Sequence, residues 1–301
     1  MLTGLSVAVI GGDARQLEVV KKLSEWDANL FLIGFDQLDH GFTGATKVDL
    51  DEAHFEEMDA VLLPVSGTNL KGEVETVFSN GNIVLTAQHL KRTPKHCTVY
   101  SGITNTYLDG CVKDADRRLV KLLERNDVAI YNSIPTAEGT IMMVIQNTDM
   151  TIHDADVMVL GFGRTGITVA RMMAALGARV KVGARRSEHL ARISEMGLKS
   201  FYIENLEQEV SDTDICINTI PAPVLTASVL SHMPLSTLII DLASKPGGTD
   251  FRYADKRGIK ALLAPGLPGI VAPKTAGEIL AKVLQPLLIA NQKEEENTHE
   301  A

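Results

Sequence analysis

Gly161-Phe162-Gly163-Arg164-Thr165-Gly166 follows the apolar run Val157-Met158-Val159-Leu160 and opens a segment of helical periodicity. The first glycine permits a tight turn, the second lets the backbone approach a pyrophosphate, and the third lets helix and strand pack closely. The helix N-terminus then offers amide donors and the positive end of its dipole to phosphates. At the end of the next strand, where an NAD enzyme holds the ribose 2′-hydroxyl with Asp or Glu, the chain reads Gly183-Ala184-Arg185-Arg186-Ser187. Two guanidinium groups and a hydroxyl with no acid among them suit a 2′-phosphate, which selects NADP over NAD. The bland alternatives are a βα turn without a ligand and a solvent-exposed basic turn.

Two further segments, Asn218-Thr219-Ile220-Pro221 and Asp241-Leu242-Ala243-Ser244-Lys245, follow later strands on the same sheet edge and would border the nicotinamide. Lys245 is the candidate for proton transfer or carboxylate binding, with Asp241 to orient it. A solvated lysine and a strand-ending turn residue are the plain alternatives. None of the histidines falls at a strand end in this domain. In the first half of the chain, Gly11-Gly12-Asp13-Ala14-Arg15-Gln16 repeats the turn but puts Asp13 and Gln16 where Gly163 and Gly166 stand. A carboxylate there repels pyrophosphate, so this loop is expected to meet substrate, with Arg15 forking a carboxylate. Arg15 reads equally well as a surface residue of a first helical turn. Ser101, Gly102, Thr104 and Asn105 would add donors after a later strand, or serve as ordinary turn residues.

An internal repeat at an offset of 150 residues organises these loops. Val7 to Gly11 lies over Val157 to Gly161, Leu23 over Met173, Ala28 over Ala178, and Leu30 to Gly34 over Val180 to Ala184. Each copy reads as strand, glycine turn, helix and strand, with strands apolar on both faces, the pattern of a parallel sheet covered by helices. The fold class is therefore α/β, with two doubly wound parallel-sheet, Rossmann-like domains and a cleft between them. Residues 1–134 form the first domain and Pro135 with Thr136 opens a linking helix over 135–150. Residues 151–272 form the nucleotide domain, a helix over 273–291 packs back on the first domain, and 292–301, with four glutamates, reads as a disordered acidic tail.

Composition narrows the partners. The chain has 301 residues, 45% hydrophobic and 22% charged, and 38 acidic against 29 basic residues give a net charge of -9. That charge opposes nucleic acid and anionic membrane surfaces and favours a small-molecule partner. Cys97, Cys111 and Cys216 have no metal or disulfide spacing, which suits a reducing cytoplasm; no metal site is expected. The N-terminus lacks the basic flank of a signal peptide.

Longer segments carry a resemblance. Gly11 to Gln16, Phe35-Asp-Gln-Leu-Asp-His-Gly-Phe-Thr-Gly44, Tyr131-Asn-Ser-Ile-Pro-Thr-Ala-Glu-Gly-Thr140, Gly161 to Gly166 and Leu263-Ala-Pro-Gly-Leu-Pro-Gly-Ile-Val-Ala-Pro-Lys-Thr-Ala-Gly277 are similar to the A-subunit family of dipicolinate synthase. The resemblance runs through nearly the whole chain outside the acidic tail. It implies a cytoplasmic enzyme of the mother cell of a spore-forming bacterium, acting with a flavoprotein-like B subunit, with homo-oligomers open. The implied reaction oxidises dihydrodipicolinate to dipicolinate with NADP as hydride acceptor. A small dicarboxylate substrate would need local cations on an acidic protein, for which Arg15 and Lys245 are the candidates. Formation of an aromatic ring favours the oxidation and lessens the demand for a strong acid or base. The alternatives are a non-catalytic NADP-binding subunit supporting its partner, and a hydroxy-acid dehydrogenase, which lacks an assembled Arg, Glu and His set here.

Overall fold

The computed structural model describes residues 1–39 and 41–299, the side chains of 293–299 excepted. The chain divides into two compact units, Met1–Ala129 with Pro273–Ala301, and Ile130–Ala272. The first unit runs β1 (Ser6–Ile10), α1 (Ala14–Glu25), β2 (Asn29–Ile33), β3 (Ala45–Lys47), β4 (Ala60–Leu62), β5 (Glu73–Val74), β6 (Ile83–Val84), α2 (Ala87–Arg92), β7 (Thr98–Ser101), α3 (Thr106–Asp114) and β8 (Arg118–Lys121). After α4 (Asn126–Asn147), the second runs β9 (Asp156–Leu160), α5 (Arg164–Ala175), β10 (Arg179–Ala184), α6 (Ser187–Glu195), β11 (Lys199–Tyr202), α7 (Leu206–Glu209), β12 (Ile215–Asn218), α8 (Ala227–His232), β13 (Leu238–Asp241), α9 (Phe251–Arg257), β14 (Lys260–Leu263) and α10 (Leu267–Val271). The last helix, α11 (Pro273–His299), returns to the first unit. No helix among the described residues is long and apolar enough to cross a membrane.

Each unit has a six-stranded parallel sheet, ordered β3-β2-β1-β4-β7-β8 in the first and β11-β10-β9-β12-β13-β14 in the second. Both follow the doubly wound order in which the chain reverses beside the first strand, the point at whose carboxyl end open α/β sheets bind ligands. The 150-residue repeat is literal: β1 and β9, α1 and α5, and β2 and β10 begin 150 positions apart. Leu23 and Met173, equivalent in the repeat, are both fully buried under their sheets. The strands are apolar on both faces because helices cover both; Val7, Ala8, Val9 and Ile10 are all buried, as are Val157, Met158, Val159 and Leu160.

The strand β6 is not in the parallel sheet; it pairs antiparallel with β5 as a small hairpin. Two expectations change. The linking helix starts at Asn126, not Pro135, which lies inside it. A proline there has no N–H for the carbonyl of Tyr131 four residues earlier, and on either side of that carbonyl Ser133 Oγ donates to Ile130 O (2.6 Å) and Thr136 Oγ1 to Asn132 O (2.7 Å). From Ile130 onward α4 belongs to the second unit, where Ser133 Oγ meets Thr168 Oγ1 of α5 at 2.7 Å. The segment expected to be a disordered tail continues α11 to His299, consistent with glutamate's good helix propensity; positions 300 and 301 lie outside the described residues.

The return of α11 rests on a close approach to α1. Leu280, Ala281, Val283, Leu284 and Leu288 join Val19, Val20 and Leu23 in one core. Gly277 makes this fit: a Cβ there would lie 2.4 Å from Arg15 O and 2.7 Å from Glu18 Cβ. In an open helix Gly→Ala gains about 1 kcal/mol. Here the clash dominates, and Gly277→Ala is expected to lower stability by about 1–3 kcal/mol in urea melts; a stabilised variant would show that α11 does not approach α1 this closely.

Candidate functional site

In the second unit the turn after β9 is shaped by what it excludes. Gly161 has φ +98°, and a Cβ on it would lie 2.4 Å from Thr219 Oγ1. A Cβ on Gly166 would lie 2.1 Å from Gly161 O, so α5 can approach the strand only with glycine at this position. Gly163 has open space where its Cβ would be, the face a pyrophosphate would approach. It is the N-cap of α5 and supplies no side-chain cap, leaving the first turn to other acceptors. Thr219 secures the floor, its backbone N–H (2.9 Å) and its Oγ1 (2.8 Å) both donating to Leu160 O.

Gly161, Phe162, Gly163 and Thr219 line a groove of about 250 Å3 together with Gly183, Ala184, Arg185, Arg186, His189, Ile220 and Pro221. The glycine turn, the end of the second strand and the Asn218 loop, three segments singled out in sequence, thus come together. Arg185, Arg186 and Ser187 are exposed at the start of α6. Arg186 Nη1 is 3.4 Å from Glu188 Oε1, a pair two-thirds exposed on both sides and therefore weak. Ala243 is buried and Ser244 exposed beyond the end of β13. The residues present fit a dinucleotide: glycines where backbone must come close, an uncapped helix start, and cations at the ribose end.

Sequence reasoning misses His189. It is half-buried on the first turn of α6, and its ring tilts against that of Phe162, centroids 5.7 Å apart. The available signal is its position three residues after Arg186, in the first turn of the helix that follows the basic pair.

Asp241 departs from the role expected of it. Fully buried, its carboxylate accepts from Asn218 Nδ2 (3.0 Å), Ala243 N (3.0 Å), Gly248 N (2.8 Å) and Thr249 Oγ1 (2.6 Å). Those four donors exhaust its oxygens, so it anchors the 243–249 loop and does not orient Lys245, which is exposed at the loop's tip. Asn218 is likewise structural: its Oδ1 accepts from Ile220 N and its Nδ2 also donates to Ile220 O, fixing the loop that walls the groove. The cysteines are buried; burial pushes the Cys97 thiol up to about 12 and raises that of Cys216, so neither offers a thiolate.

The equivalent turn of the first unit is closed. Gly12 N donates to Glu75 O (2.8 Å), Val77 N donates to Gly12 O (3.0 Å), and Thr76 Oγ1 donates to Gly34 O (2.7 Å). The 74–77 segment therefore lies over the glycine turn, and Gln16 packs beneath Gly12, whose added Cβ would lie 2.6 Å from Gln16 Cβ. Asp13 caps α1 by accepting from Arg15 N and holds the Arg15 guanidinium at 2.6 Å. The fork expected to meet a substrate is thus already occupied by the neighbouring carboxylate.

The other expected substrate donors are committed to their own loop. Ser101 Oγ donates to Ile103 O (2.6 Å), and Thr104 Oγ1 donates to Asp109 Oδ1 (3.0 Å). Asn105 caps α3, accepting from Tyr107 N and Leu108 N while donating to Thr68 O. Gly102 is pressed on Val65, where a Cβ would lie 2.5 Å from a carbonyl oxygen.

Two outcomes follow. Gly166→Ala is expected to cost nucleotide affinity at least tenfold in calorimetric titration, because α5 must withdraw from the turn that its amides serve; full affinity would remove the close approach from the site. For Asp13, burial raises the carboxyl's pKa, but the Arg15 side-chain hydrogen bonds, its charge and its amide outweigh this and hold it below the usual 3.8. A folded value below the unfolded one stabilises above the unfolded value and is lost as pH falls through the folded one. Asp13→Asn keeps the helix cap, so its stability penalty should be present at pH 7 and shrink by pH 3. An equal penalty at both would assign it to something other than the pair.

Residues 6–123 match the N-terminal domain of the dipicolinate synthase A subunit, and residues 128–300 match the alanine dehydrogenase/PNT C-terminal domain. The chain is 64% identical over 295 residues to the A subunit of dipicolinate synthase from Bacillus subtilis strain 168, covering 98% of this chain and 99% of that protein. A crystal structure of the corresponding A subunit from Bacillus halodurans superposes with TM-score 0.94 at 66% identity, covering 96% of this chain and 99% of the other. An L-alanine dehydrogenase shares the fold alone, with TM-score 0.63 at 15% identity over 96% of this chain and 90% of that one. Two Rossmann-like units of this kind, matched from end to end at that identity, make the chain a member of the dipicolinate synthase A-subunit family.

Proposed function

We propose that this chain oxidises dihydrodipicolinate to dipicolinate with NADP as hydride acceptor, in the cytoplasm of the mother cell of a sporulating bacterium and beside a flavoprotein-like B subunit. The observation that carries it is the contrast between the two glycine turns. The turn of the second unit is open, with an uncapped helix start, and that of the first is closed by its own 74–77 segment. One nucleotide site per chain follows, and its groove ends in Arg185 and Arg186. The family relationship supports the reaction.

Bound NADP would supply the hydride acceptor. The chain's part is to hold the pyrophosphate on the 161–166 turn, offer two guanidinium groups to the 2′-phosphate, and hold the Asn218 and Asp241 loops rigid beside the nicotinamide. Lys245, exposed beyond β13, is the cation available to a substrate carboxylate or a transferred proton. Ring aromatisation provides driving force, so the chemistry asks more for positioning than for a strong base.

The engagement of Asp241 favours a second function, in which the chain holds NADP for its partner without turnover of its own. Purified chain supplied with dihydrodipicolinate and NADP separates the two: NADPH absorbance growing without the B subunit supports catalysis here, and its absence supports the carrier role. The nucleotide itself is tested by titrating NADP and NAD into the wild type and into Arg185→Ala with Arg186→Ala. Loss of charge-assisted phosphate contacts should weaken NADP on the order of tenfold or more and leave NAD nearly unchanged. Equal affinity for both nucleotides in the wild type would remove NADP from the proposal.

A further inference from the structure

His189 is the one imidazole lining the nucleotide groove among the described residues, and nothing in the proposed chemistry uses it. Three features give it a task. It lies in the first turn of α6, three residues after the N-cap Arg186, where the helix dipole favours an anion, and both residues line the groove. The N-cap of α6, Arg186, provides no side-chain acceptor, so the helix start is open to an external one. The ring is not a free surface group: half-buried, it rests against Phe162 at 5.7 Å with planes 59° apart, an ordinary tilted aromatic pair.

Phe162 belongs to the glycine turn and is itself 7% exposed. The contact therefore links the helix that follows Arg185 and Arg186 to the loop that takes the pyrophosphate. The contact with Phe162 restricts the ring before any ligand arrives. The acid nearest in sequence, Glu188, pairs with Arg186.

We propose that His189 is a specificity-determining residue of this groove, its imidazole N–H donating to the 2′-phosphate of the adenine ribose alongside Arg185 and Arg186, with Phe162 fixing the ring's orientation. The assignment rests on the groove binding NADP. Its consequence is that recognition of the 2′-phosphate is not confined to the two exposed arginines, whose long side chains lose entropy on binding. A pre-positioned donor supplies direction where the arginines supply charge.

The test uses the full chain and two probes differing only in the phosphate concerned, 2′,5′-ADP and 5′-AMP, titrated by calorimetry. His189→Phe keeps a ring against Phe162 and removes the donor, and an unchanged thermal melt verifies that α6 stays in place. In the wild type, 2′,5′-ADP should bind more tightly. In His189→Phe its affinity should fall on the order of tenfold, with 5′-AMP unchanged. An unaltered preference in the variant overturns the assignment while leaving the NADP site standing, and equal losses for both probes overturn it in favour of a stacking role. A wild type with no preference for 2′,5′-ADP overturns the NADP site and this assignment together.

Discussion

The second unit depends on the approach of α5 to the end of β9, where Gly161 O occupies the space of any side chain at Gly166. That approach aims the start of α5 at the turn, keeps Gly163 at the surface, and draws Thr219 against Leu160 O as the wall of the groove. A backbone amide is useful to a ligand only if no internal carbonyl has taken it. The second unit leaves its helix start uncapped, whereas in the first Asp13 caps the equivalent helix start by accepting from Arg15 N and the turn's Gly12 N is spent on Glu75 O. The same strand, turn and helix can thus hold an anion or be part of the interior, depending on one crossing segment.

That distinction is only half readable in the sequence. Asp13 and Gln16 in place of two glycines argue from charge and volume against a phosphate at the first turn. They carry no sign of the 74–77 segment that closes it, because residues far apart in sequence meet there through a short hairpin whose strands have two residues each. Period-2 alternation needs more residues than that to register. The repeat, by contrast, spans strands and helices long enough to show in hydrophobic spacing, and its offset survives in the element boundaries. Pro135 misleads for a local reason. Proline at a first helical turn is the common case, but here it lies well inside α4, where the Ser133 and Thr136 hydroxyls bond back to the carbonyls of Ile130 and Asn132.

The polar residues at strand ends show the limit of assigning chemistry by position. Asp241, Asn218, Ser101 and Asn105 all lie where an open α/β sheet binds ligands, and all have their hydrogen bonds inside the protein. A loop at the carboxyl end of a sheet must satisfy its own backbone before it can serve a ligand, and short polar side chains do this best. His189 is the converse. It lies one turn inside a helix and ends no strand, so position gives it no signal, and yet it lines the groove.

The two ends of each sheet divide these tasks. At the amino end both units use one device: Asp59 Oδ2 accepts from Ser6 N at 2.7 Å in the first, and Asp214 Oδ2 accepts from Asp156 N at 2.9 Å in the second. A carboxylate from the segment before the fourth strand thus secures the start of the first strand in both copies. At the carboxyl end the copies part, one turn closed and one open. Stability asks every buried polar group to find a partner within the chain, whereas binding requires some donors to be left for something outside it. A fold used twice in one chain can meet both demands, provided the second copy leaves its amides unspent at the end where the strands finish and the helices begin.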